Sequence, residues 1–300
     1  MRLRRACIRS KNVGRSLVLA ERHGASRSAI WSGAILARRE LHGCRAILTG
    51  ASSGIGRALA IELVNAGVRV LAVARRAERL EALARELAAG PGEVLVHAGD
   101  ITDERTRRSV IETAHERLGG LDLLVNNAGI GAMGRFAEAS PERLRQVMEV
   151  NFFAPAELIR LALPVLQAGR KPLVVNVGSI LGQVGIPFCA EYCASKFAVR
   201  GLGQSLRAEL APVGIDLLLV SPGTTETEFF ERAIDARKLP WSDGRAMSAA
   251  SVARQTVRAM RAGRSEIVLG AQARLLAWAQ RLVPGVVRRV LANYGRSDKK

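Results

Sequence analysis

Tyr192 and Lys196 stand four residues apart, which on a helix puts both side chains on one face. An ammonium beside a phenol stabilises the phenolate and draws its pKa down from about 10 toward neutrality, making the phenol a usable general acid or base. A lone Tyr-x-x-x-Lys pair arises by chance on many surface helices. Here Ser179 lies upstream, just past the apolar run Leu173–Val177, where its hydroxyl is placed to hold a carbonyl oxygen, and Asn151 precedes both. These four side chains, in that order, form a set that can orient an oxygen and move a proton to or from it.

A second group of residues suits a nucleotide. The run Thr49-Gly50-Ala51-Ser52-Ser53-Gly54-Ile55-Gly56 follows an apolar stretch, and Arg57 opens a helical pattern that Gly67 ends. Residues without a Cβ let such a turn bend sharply and approach a pyrophosphate, whose charge rests on unsatisfied N–H groups at the helix start. The next apolar run ends Ala74-Arg75-Arg76, with no carboxylate before Glu78. An acid there accepts the ribose hydroxyls of NAD, whereas arginine pairs with a 2′-phosphate, so Arg75 and Arg76 argue for NADP(H) over NAD(H). Loss of the Arg75 guanidinium is then expected to weaken NADPH far more than NADH; the alternative is two solvated arginines in an Arg-rich chain. Asp100 and Ile101 follow the third run, and Asn126-Asn127-Ala128-Gly129 follows the fourth. Both lie where open α/β sheets place ligands, Asp100 to accept from an adenine amino group and Gly129 to let backbone pass close to the cofactor, although each also serves as a plain turn.

The elements that must position these residues begin at Arg45. Apolar runs at Ala46–Leu48, Val68–Ala74, Val94–Ala98, Leu121–Val125, Leu173–Val177, Ile215–Val220 and Ile267–Leu269 read as seven strands. Between them Arg57–Ala66, Glu78–Ala89, Glu104–Leu118, Pro141–Ala168 and Tyr192–Ala211 repeat apolar residues at helical spacing. Strands apolar on both faces and separated by helices predict one doubly wound α/β domain over 44–270, a parallel sheet between two helical layers with right-handed crossovers.

The pieces Thr49–Gly56, Asp100, Asn126–Gly129, Asn151, Ser179, Tyr192-Cys193-Ala194-Ser195-Lys196 and Pro222-Gly223 together resemble the short-chain dehydrogenase/reductase family, over about residues 44–225. The resemblance implies a Rossmann-type seven-stranded sheet, an NAD(P) cofactor and hydride transfer between nicotinamide and a carbonyl or alcohol carbon. It makes Tyr192 the proton donor or acceptor and gives Lys196 the nicotinamide ribose and the Tyr192 pKa. It has Ser179 orient the substrate oxygen and Asn151 keep a water in the proton relay. Thr227, after Pro222-Gly223, matches the threonine that touches the nicotinamide carboxamide. Gly178, where serine is frequent, and Cys193 inside the Tyr-Lys motif depart from the pattern at variable positions. The family also implies self-association as a dimer or tetramer.

The resemblance implies that segment 224–250 covers the substrate, and its Phe229, Phe230 and Trp241 suit a lipid-, steroid- or 3-oxoacyl-like ligand or else a locally packed helical cap. The formal charge of +18 is concentrated at the ends: residues 1–43 and 258–300 each carry +8, leaving +2 for the body. The Arg-rich, acid-poor segment 1–43 reads as a flexible tail, an extension upstream of the true start, or an organelle transit peptide. Residues 271–300 hold Leu275, Ala279, Leu282, Val286 and Val290 at helical spacing, with Arg274, Arg281 and Arg288 on another face and Pro284-Gly285 dividing the segment. Such a stripe lies on an anionic membrane surface or packs on protein. Cys7, Cys44, Cys189 and Cys193 lack zinc spacing, which excludes a zinc module and points to reduced thiols and a cytoplasmic setting. Two other classes stay open: a nucleotide-sensing protein whose basic ends hold nucleic acid, disfavoured because no base-reading motif is present, and a membrane-surface scaffold with idle catalytic residues.

Overall fold

The apolar runs become strands because their residues are buried on both faces, where β-branched and aliphatic side chains fill a pleated surface. A computed structural model describes residues 39–229, 231–235 and 246–297. In chain order it contains β1 (Arg45–Thr49), α1 (Gly54–Asn65), β2 (Arg69–Ala74), α2 (Ala77–Glu86), β3 (Glu93–Ala98), α3 (Glu104–Thr113), β4 (Leu123–Asn126), α4 (Pro141–Met148) and α5 (Ala154–Gln167). There follow β5 (Leu173–Val177), α6 (Ala190–Leu210), β6 (Asp216–Pro222), β7 (Thr225–Glu226), β8 (Met247–Ser248), α7 (Ala249–Arg261), β9 (Glu266–Leu269), α8 (Ala271–Leu282) and α9 (Pro284–Ser297).

Seven strands form one parallel sheet in the order β3-β2-β1-β4-β5-β6-β9, the Rossmann-type arrangement. Alternation along the strands sends Leu48, Val70, Val125 and Val175 to a layer that includes Leu63 of α1 and Met260 of α7. Ile47, Leu71, Leu124 and Val174 face the opposite layer, with Val110 of α3, Leu158 of α5 and Leu210 of α6. Strand order reverses between β1 and β4, so the connections leaving these two parallel strands diverge and open a crevice at their carboxyl ends. Asp122, fully buried just before β4, fastens the opposite end. It accepts from the Arg45 backbone N–H and Nε at 2.9 Å each, and from the Arg170 backbone N–H at 2.6 Å. Burial works to raise its carboxyl, but the hydrogen bonds from Arg45 and Arg170 hold it below the ordinary aspartate value.

Several boundaries differ from the sequence reading. The expected helix over 141–168 is two helices joined by a π turn at Glu149–Phe153, because its apolar spacing runs on unbroken through the irregular turn. The expected border at residue 44 falls inside the packed body. Leu41 is fully buried, and Arg39 donates to Asp216 Oδ2 at 2.7 Å and to the Lys171 carbonyl at 3.1 Å. Within the expected lid, Thr225–Glu226 and Met247–Ser248 form a small parallel pair. Phe230, Trp241 and residues 1–38, Cys7 included, lie outside the described residues.

Candidate active site

The crevice has a volume of about 440 Å³ and is lined by the glycine turn, the loops after β2, β3, β4, β5 and β6, and the face of α6 that carries Tyr192 and Lys196. Its floor depends on glycine at two places. A Cβ on Gly50, whose φ is +69°, would sit 2.8 Å from Asn127 Nδ2, and one on Gly56 would sit 2.1 Å from the Gly50 carbonyl oxygen. The turn is thereby folded onto itself and against the β4 loop. Thr49 Oγ1 accepts from the backbone N–H groups of Asn127 and Ala128, at 3.0 Å each, and Asn127 Nδ2 donates to the Thr49 carbonyl at 3.0 Å. Ser53 is the N-cap residue of α1, yet its hydroxyl does not cap the helix, and no acid stands in the first turn. The N–H groups of Gly54, Ile55 and Gly56 at this helix start belong to residues lining the crevice, a cradle that fits a pyrophosphate.

The two arginines after β2 do different things. Arg76 Nη2 donates to Ser52 Oγ at 2.8 Å and Ser53 Oγ at 2.7 Å, which pins the guanidinium beside the cradle. Arg75 is mostly exposed, its Nη1 3.7 Å from Asp100 Oδ2, so of the expected pair Arg76 is the one held in place. The other Asp100 oxygen accepts from the Thr102 N–H at 3.0 Å and hydroxyl at 2.8 Å, which orients the carboxylate. Ile101, Ala128, Gly129, Pro222, Gly223 and Thr227 line the crevice as expected.

At the other end Ser179 and the Tyr192 hydroxyl share a hydrogen bond, and Lys196 Nζ lies 5.6 Å from the Tyr192 ring centre while donating to the Val177 carbonyl at 3.3 Å. Burial raises the Tyr192 pKa above its ordinary value, the hydrogen bond from Ser179 offsetting only part of this, and burial also lowers Lys196 to about 8. Taking both groups out of water disfavours phenolate and ammonium alike, so this phenol is protonated at neutral pH. Asn151 is the one expected residue that does not line the crevice. Seated on the π turn behind it, its amide accepts from the Ile130 N–H at 2.8 Å and donates to the Ile130 carbonyl and Ser195 Oγ, at 2.9 Å each.

A model of the short chain dehydrogenase family matches residues 45–238. The chain belongs to that family. This short-chain dehydrogenase is 33% identical over 267 residues to the dehydrogenase/reductase SDR family member 7B of Bos taurus, an alignment covering 85% of this chain and 82% of the bovine one. Among solved structures it is similar to a short-chain dehydrogenase/reductase of Burkholderia phymatum in complex with NAD, with TM-score 0.73 and 26% identity over 81% of this chain and 96% of that one. It is also similar to a short-chain dehydrogenase of Burkholderia cenocepacia J2315 in complex with NADP, with TM-score 0.72 and 29% identity over 84% and 99% of the two chains. The dehydrogenase is thus an oxidoreductase of the NAD(P)-binding Rossmann type.

Sequence reasoning missed three charged residues at the cofactor end: Arg79, Glu228 and Arg232. Glu228 Oε1 lies 3.0 Å from Arg79 Nη1, and Oε2 lies 2.8 Å from Arg232 Nη2 and 3.5 Å from Arg76 Nη1. Only the spacing of Glu228 and Arg232, four apart, was a visible signal, and it reads equally as a surface pair.

Proposed function

We propose that this short-chain dehydrogenase reduces a hydrophobic carbonyl compound to the alcohol at the expense of NADPH. The observation that carries the reading is a buried Tyr192 phenol bonded to Ser179, in the same crevice as a glycine cradle flanked by Arg76. The first-turn N–H groups of α1, with Ser52 and Ser53, would hold the pyrophosphate, Arg76 the 2′-phosphate and Asp100 the adenine amino group. Lys196 would hold the nicotinamide ribose and Thr227 the carboxamide. When bound, the cofactor supplies the hydride that adds to the carbonyl carbon. Ser179 orients the carbonyl oxygen, and Tyr192 delivers its proton to that oxygen, completing the alcohol. Behind Lys196 lies a cavity of about 10 Å³ lined by Asn126, Asn151 and Asn176 among others, and Asn126 Oδ1 is buried without a partner among the described residues. That is room for one water, through which Lys196 would return a proton to the phenol. Phe229, its ring centre 5.5 Å from that of Tyr192, supports an apolar substrate.

The test is NADPH oxidation over a panel of ketones, aldehydes and 3-oxoacyl compounds, with NADH in parallel. Turnover of the more apolar members, faster with NADPH, is expected. No turnover of any member removes the reductase reading, and equal rates with NADH remove the NADP preference.

A second feature favours work at a surface. No helix among the described residues is long and apolar enough to cross a membrane. Helix α8 nonetheless exposes Leu275 (71%), Trp278 (60%) and Leu282 (68%) and also carries Arg274 and Arg281, and α9 carries Arg288. Anionic lipid attracts each basic residue by about 1 kcal/mol and takes up the apolar side chains, so we place this face on a membrane surface. The full chain is expected to pellet with phosphatidylserine-containing vesicles and not with neutral ones, whereas a chain carrying Leu275→Ser, Trp278→Ser and Leu282→Ser stays in the supernatant. A native chain that stays in the supernatant with both vesicles removes this reading. Phe153, just before α5, and Phe197, within α6, are exposed, which supports self-association with a second copy.

A further inference from the structure

Three guanidiniums meet one carboxylate at the mouth of the cofactor end. Arg76 follows β2, Arg79 belongs to α2, and Arg232 shares with Glu228 the segment after β7. Glu228 bonds to Arg79 with both oxygens, at 3.0 and 3.1 Å, and pairs with Arg232 at 2.8 Å and Arg76 at 3.5 Å. One negative charge among three positive ones leaves the cluster short of anion. Burial, and then the like charges of Arg232 and Arg79, push the Arg76 guanidinium below its ordinary value. A phosphate monoester brings roughly −1.5 to −2 and three acceptor oxygens, a closer match to the cluster than one carboxylate. Glu228 lines the same crevice as Ser52, Ser53 and Arg76, so it stands where an anion bound to Arg76 would meet it.

We infer that Glu228 is an internal stand-in for the 2′-phosphate: it neutralises Arg76, Arg79 and Arg232 in the cofactor-free enzyme, competes with the incoming phosphate for them, and so limits the preference for NADPH over NADH. The inference rests on the NADP reading above.

Titration calorimetry on the full chain and on Glu228→Gln, with NADPH, NADH and 2′,5′-ADP, tests this. Gln keeps the size and an acceptor oxygen but removes the charge. The NADPH-to-NADH affinity ratio is expected to rise about 3- to 10-fold, with 2′,5′-ADP following NADPH, because a like charge facing the phosphate is gone. A Glu228→Ala chain should move the ratio the same way, and melting of both empty variants reports whether they fold. An unchanged ratio makes Glu228 a bystander, and a lowered ratio makes it an organiser of the arginines; either result overturns the inference. The native chain separates the two readings. If it prefers NADPH while the variants show no gain, only the role of Glu228 fails; if it shows no preference and the variants gain none, the NADP reading falls with it.

Discussion

Replacing Tyr192 by Phe should remove nearly all carbonyl reduction, a fall of about 10²- to 10⁴-fold in turnover, while NADPH still binds. The substitution keeps the ring that packs on Phe229 and deletes only the oxygen bonded to Ser179. Hydride addition to a carbonyl places charge on oxygen, and among the residues lining the crevice no other acid stands where the phenol does. Lys196 is directed elsewhere, its amine donating to the Val177 carbonyl and lying 5.6 Å from the Tyr192 ring centre. Because burial keeps the phenol protonated, the loss should appear throughout the neutral range rather than at one edge of the pH profile. Steady-state rates with the best carbonyl of the panel, alongside an NADPH titration, measure both halves. Near-native reduction by the variant would remove Tyr192 from the reaction, and lost NADPH binding would mean that the ring supports the fold of the crevice instead.

Arg76→Ala should cost NADPH about 10- to 100-fold in affinity while NADH changes by less than about threefold, as expected for one charge-assisted hydrogen-bonding partner of a phosphate. The guanidinium is already fixed by Ser52 and Ser53, so little side-chain freedom is lost when an anion arrives. Arg75 makes the useful contrast. It is mostly exposed and leans toward Asp100 at 3.7 Å, so Arg75→Ala should have the smaller effect. Equal losses for both cofactors in Arg76→Ala would mean that the residue only braces the glycine turn.

The glycine turn, the Asn127–Gly129 loop and the Tyr192–Lys196 pair were legible because each is a local arrangement. A backbone that must bend without a Cβ, or two side chains one helical turn apart, is written within a few adjacent residues. The parallel sheet was legible for a related reason, since strands buried on both faces need uninterrupted apolar runs and crossover helices need spacing of three and four. The π turn at Glu149–Phe153 was not, because apolar residues continue at helical spacing through Val150 and Ala154 while the backbone takes the extra residue that seats Asn151. Nor was the meeting of Arg76 and Arg79 with Glu228, roughly half the chain away, which depends on a strand order that folds the segment after β7 over the start of α2. The protonation of Tyr192 divides the same way. Sequence placed an amine beside a phenol, and from that pair alone the phenol should be acidic; the three-dimensional fold buried both, and desolvation, which no pairwise spacing records, decided the direction of the shift.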